Sequence, residues 1–180
     1  MHQVIENVLT AGQIRDIAYE YQNNSEHVPT NRFIADIARY IDDTLAYELS
    51  RANVSIIHVD GQPYTTTDEM RAHVAMGTLL INTDYNNDPY LIAEQNLKFR
   101  ALHDLQHCRT VDCNFNLWGE CCAYNLAQKQ ATSPFVKDWL FSEIVGQLCV
   151  LRVTGEYPVQ RRVLISPVFR LQIERMYSEN

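Results

Sequence analysis

His103 and His107 stand four residues apart in Phe99-Arg100-Ala101-Leu102-His103-Asp104-Leu105-Gln106-His107. On a helix, that spacing puts both imidazoles on one face about a turn apart, so two nitrogens can meet one metal ion. Asp104 follows about 100° around such a helix, where it can act as general base or hydrogen-bond partner. Glu120 opens a later helical segment, 13 residues beyond His107. A helix hairpin returns it towards the histidines, and Gly119 beside it permits close backbone approach. Glu143 and Gln147 form a polar pair one turn apart in the otherwise apolar run Phe141 to Leu148. Burying a carboxylate there costs several kcal/mol or so unless it binds a metal or is fully hydrogen-bonded. The bland alternative is a buried His/Glu network that fixes helix packing without metal.

The helix H-E-x-x-H of zinc proteases offers the same ligand geometry, but here Asp104 stands where those enzymes have Glu. A protease assignment is weakened accordingly. Cys108, Cys113, Cys121 and Cys122 crowd into fifteen residues, yet the paired C-x-x-C knuckles of structural zinc are absent. These thiols read as small buried packing residues. Arg100, one turn before Asp104, is a candidate to hold an anionic substrate group, with Gln147 orienting Glu143. The chain has no G-x-S-x-G, no P-loop and no G-x-G-x-x-G. It also has no Glu-x-x-His, which disfavours a carboxylate di-iron bundle.

The chain that must position these residues has 180 residues, a net charge of −7 and 46% hydrophobic content. That suits one domain, and the acidic balance makes nucleic acid an unfavoured partner. No apolar stretch approaches the roughly 18 residues needed to span a bilayer. The first seven residues lack a signal-peptide pattern, and five cysteines suit a reducing, cytoplasmic setting. Helical periodicity covers 10–22, 31–45, 93–108, 118–130, 134–154 and 167–177. Thr66 with Glu69 predicts a capping box for a short helix that Gly77 stops. Residues 54–59 and 78–82 are strand candidates, enough for a two-stranded ribbon with helices packed on it. The expected fold is mainly α, a single-domain helical bundle with a small β element. Its expected parts are an N-terminal helical part at 1–50, the β element at 53–82 and a site-bearing helical core at 91–153.

From Phe99 to Gln147 the chain resembles a bacterial and phage family to which no activity is assigned. The family pattern is F-R-A-x-H-D and a second His, then F-x-x-x-G-E, then E-x-x-G-Q. Here it is carried by Phe99-Arg100-Ala101-Leu102-His103-Asp104, His107, Phe115, Gly119-Glu120 and Glu143-Ile144-Val145-Gly146-Gln147. The chain departs from the family at the second histidine, which in the family follows a Gly one residue later in the run. This resemblance implies a shared site and no substrate. His103-Asp104 is also similar to the dyad of HD-domain phosphohydrolases, which are all-helical. That similarity implies metal ligation by an upstream His, here His73, by the dyad, and by a downstream Asp, here Asp112 or Asp138.

The expected function is a metal-dependent hydrolase. His103, His107 and Glu120 bind a divalent ion (Zn²⁺, alternatively Fe²⁺ or Mn²⁺). Glu143 is a fourth ligand or an acid/base group, and Asp104 is the other candidate to take the proton of a metal-bound water. A small anionic substrate fits Arg100. The alternatives are a non-catalytic acidic inhibitor or adaptor of phage type, and a non-haem iron oxygenase using the same ligands.

Overall fold

Local side-chain chemistry sets several helix starts. Thr10 accepts a hydrogen bond from Gln13 N while the Gln13 side chain accepts one from Thr10 N, a capping box that starts α1 (Ala11–Asn23). Thr30 caps α2 (Asn31–Ala52), which ends where Asn53 turns left-handed at φ 53°. The Thr66/Glu69 box starts α3 (Thr67–Ala75), and Gly77, at φ 84°, lets the chain leave it. Asn116 accepts from Gly119 N at the head of α5 (Leu117–Gln130). Pro134 begins α6 (Pro134–Phe141), where its missing N–H is not needed.

The computed structural model describes residues 8–84, 86–109 and 113–178. Two strands, β1 (Ser55–Val59) and β2 (Thr78–Asn82), and α4 (Ala93–His107) complete the middle of the chain. Ser142–Gly146 is a π-helical segment, continued by α7 (Gln147–Thr154), and α8 (Pro167–Met176) follows. The phosphohydrolase-type ligand candidate Asp112 lies outside the described residues. No helix among those described is long and apolar enough to cross a membrane.

The chain divides into two compact units, Pro29–Phe115 and Met1–Val28 with Asn116–Asn180. In the first, α2 packs on α4, and β2 packs on both α3 and α4. Ile37, Ile41 and Leu45 of α2, Leu79 and Ile81 of β2, and Leu102 and Leu105 of α4 are buried. The strands pair in parallel, Ser55 opposite Thr78 through Val59 opposite Asn82, with α3 as the crossover. Parallel pairing follows from that connection: a helix between two strands returns the chain to the same end of the ribbon.

In the second unit α1 packs on α7, and α5 packs on α6 and the π segment. α6, the π segment and α7 run on without a break, since Ser142, Gly146 and Gln147 all keep right-handed helical dihedrals. Gly146 faces Tyr21 of α1. A Cβ there would stand 2.8 Å from Ile165 Cδ1 and 3.0 Å from Tyr21 Cδ2. The amphipathic segment at 167–177 carries Val168, Leu171 and Ile173, and of these the structure leaves Val168 and Leu171 outside the core. Those two are 63% and 38% exposed, while Phe169 and Ile173 are buried. The face is turned so that Arg170 reaches Asp138 on α6 and Glu174 one turn along.

Candidate metal centre

α4 carries the histidine pair near its C-terminal end. Its helical repeat lines up Phe99, His103 and His107, each one turn apart, and their rings contact in series. Phe115 closes the row against His107, with ring centroids 5.3 Å apart. The two imidazoles thus lie between phenyl rings, edge to face, and their Nε2 atoms are 3.2 Å apart. His107 is wholly buried and His103 half-buried.

The second nitrogen of His107 is spoken for. Nδ1 stands 3.0 Å from the carbonyl oxygen of Cys113. A carbonyl can only accept, so Nδ1 carries the proton, and in the neutral ring Nε2 is left with a lone pair. That is the ligand tautomer, oriented by a backbone carbonyl as metal-bound histidines are.

Glu120, in the first turn of α5, is half-buried. One ligand atom from each of His103, His107 and Glu120 lies within 4.8 Å of the other two. Two nitrogens bound tetrahedrally to zinc at about 2.0–2.1 Å are about 3.3 Å apart. The observed 3.2 Å between the imidazoles matches that edge. The three residues therefore offer two imidazole nitrogens and one carboxylate at metal-ligand spacing.

Asp104 and Arg100 sit elsewhere on α4. The Asp104 charge acts on Arg100, Tyr64 and Cys108, and is not in the group formed by the histidines and Glu120. Burial, then Asp104, pushes the Cys108 thiol up to about 12. Arg100 donates through Nη1 to the carbonyls of Asn82 and Asp84, 2.9 and 2.7 Å away, tying α4 to the end of β2. Glu143 is buried in the π segment, where Oε2 accepts from Gln147 Nε2 at 2.7 Å and from Gln160 Nε2 at 2.9 Å. The Glu143/Gln147 pairing expected from the sequence is thus present, and Gln160 joins it from a segment with no sequence signal. Glu143 lies outside the three-residue group.

Comparison with protein-family models, curated proteins and solved structures finds no match to the chain. Two of the residues that the phosphohydrolase resemblance adds are described. His73 makes an edge contact with the Tyr64 ring, and Asp138 pairs with Arg170. Cys113, Cys121, Cys122 and Cys149 are buried, and Cys122 Sγ lies 2.8 Å from the Tyr177 hydroxyl. A cavity of about 410 Å³ in the second unit is lined by Ile14, Leu117, Trp118 and Arg152 among others, and the sequence carries no sign of it.

Proposed function

We propose that the chain is a metal-dependent hydrolase in which His103, His107 and Glu120 hold one divalent ion, most simply Zn²⁺. The observation that carries the reading is the mutual spacing of the three ligand atoms, within 4.8 Å, with His107 already in the tautomer a metal requires. Three protein ligands leave a coordination position for water, whose pKa on zinc falls to about 7. Glu143 is the group we assign to the water's proton, with Gln147 orienting it. Supporting this, the helix that bears Glu120 packs on the π segment that bears Glu143, and such segments recur at functional sites. Asp104 we place in a supporting electrostatic role beside Arg100.

A second reading has an observation of its own. The 3.2 Å between the imidazoles is also a hydrogen-bond distance, with His103 Nε2–H donating to His107, so the cluster serves equally as a metal-free structural network. Elemental analysis of the full chain purified without chelator separates the two. Near-stoichiometric metal, or a melting-temperature gain with added Zn²⁺, Mn²⁺ or Fe²⁺ that is lost in His103→Ala, supports the metal centre. A metal-free protein whose melting temperature ignores all three ions rules it out in favour of the network.

A further inference from the structure

The tautomer of His107 depends on where one backbone carbonyl points. Cys113 lies six residues beyond His107, past the end of α4, where the helix no longer fixes its peptide plane. Arg71, on α3, does so from outside. Its Nη2 donates to the carbonyl of His107 at 3.2 Å and to that of Cys113 at 3.4 Å. Its Nη1 donates to the Thr67 hydroxyl at 3.1 Å and to Asp68 at 2.8 Å, which hold the guanidinium in place. Thr67 in turn donates to the side-chain oxygen of Asn114 at 2.9 Å. Two side chains of α3, a turn apart, thus grip the segment that follows α4 at two consecutive residues.

We infer that Arg71 is a positioning residue for His107, acting through the Cys113 carbonyl. A carbonyl oxygen has two lone pairs, and here one takes the His107 Nδ1–H while the other faces Arg71. The same guanidinium meets the last carbonyl of α4, where unpaired acceptors and the negative end of the helix dipole favour a cation. Because Nη2 donates to both His107 O and Cys113 O while Nη1, the other prong of the planar fork, is held by Thr67 and Asp68, the guanidinium fixes the spacing between ligand backbone and orienting carbonyl. A Lys point charge does not reproduce that fork. The consequence is a buried imidazole held with its Nε2 lone pair turned towards His103 Nε2, before any ligand arrives. The inference rests on the metal reading for its purpose, but not for its geometry.

The test reads tautomer and affinity separately. Nitrogen-15 NMR of the metal-free full chain should show His107 as the Nδ1-protonated neutral form. In Arg71→Met the second tautomer should become populated, and zinc affinity should fall 10- to 100-fold, the usual effect of losing an orienting partner. Arg71→Lys should fall between the two. A folded Arg71→Met chain with unchanged His107 nitrogen shifts overturns the inference. If Arg71→Met does not fold, Arg71→Lys decides by the same spectrum, wild-type shifts overturning it. If the wild-type chain binds no zinc yet the tautomer shifts on substitution, Arg71 keeps its role and the metal reading fails.

Discussion

The Nε2 atoms of His103 and His107 face each other at 3.2 Å, across a T-shaped ring contact on one face of α4. Without a metal, that pair is one ring-to-ring hydrogen bond, contributing about 0.5–1.5 kcal/mol. With a metal it is two coordinate bonds. Saturation at 100 times Kd adds about 2.7 kcal/mol of stability, or about 5–10 °C in melting temperature for a chain of this size. We expect His103→Ala to lose that ligand-dependent gain entirely while lowering the metal-free melting temperature only slightly. An undiminished zinc-induced gain in the variant contradicts the assignment.

Glu120→Gln keeps the size of the side chain and removes its charge. If the carboxylate is the third ligand, zinc affinity should fall by at least ten-fold, with His107 retaining its tautomer because Cys113 and Arg71 are untouched. Isothermal titration with Zn²⁺ measures it. Equal affinity in the variant removes Glu120 from the ligand set.

How much of this was open to a reader of the sequence follows from which interactions are local. The Thr10/Gln13 and Thr66/Glu69 caps lie three residues apart, so their geometry is implicit in the chain. The His103/His107 spacing is equally local, since a helix sets it. The approach of Glu120 depends on the connection after Cys108, for which composition gives no geometry. Cys113 acts through its carbonyl, which every residue possesses, so its part in the site leaves no mark on the sequence. Arg71 is one arginine among many until α3 is packed. On α8, Ile173 is buried as its place in the apolar pattern suggests, but Phe169 joins it while Val168 and Leu171 stay exposed, a choice made by tertiary packing beside the Arg170 bridge to Asp138.

Glu143 is tested by a split between stability and metal content. Glu143→Ala strips Gln147 and Gln160 of a shared acceptor in a buried setting and should destabilise the chain by about 1–3 kcal/mol in urea denaturation. Bound metal should stay at the wild-type level, because the carboxylate stands outside the ligand group. Hydrolysis of whichever ester or phosphoester the wild type cleaves should fall by about 10²–10⁴-fold if Glu143 takes the water's proton. Loss of metal in this variant would make Glu143 a ligand instead.

Gly146 tests the packing that supports the π segment. An added methyl meets Ile165 at 2.8 Å and the buried Tyr21 ring at 3.0 Å. The isoleucine tip can rotate away. Tyr21 has less freedom, because its hydroxyl accepts from Arg161 N and its ring is fully buried. Gly146→Ala should therefore cost about 1–3 kcal/mol, despite the better helix propensity of alanine. A neutral or stabilising result in thermal denaturation would show that this contact relaxes freely.

Alkaline pH should loosen the fold. Burial holds the Cys149 thiol at about 12 and, with the Asp104 charge, holds Cys108 there too; Cys121 is raised as well, again by burial first. An unfolded thiol titrates near 8.5. Between those values the native chain keeps protons that the unfolded chain has released, so unfolding is favoured progressively. The stability these thiols share is complete below about pH 8 and is lost as pH rises towards 12. The buried Tyr40 and Tyr124 phenols, also raised, add to the loss above pH 10. Urea midpoints at pH 7, 9 and 10.5 should fall in that order under reducing conditions. Cys149→Ala, with no thiol left to ionise at that position, should have a shallower decline than wild type. A wild-type midpoint that stays level to pH 10.5 would mean these thiols reach solvent far more readily than their burial implies.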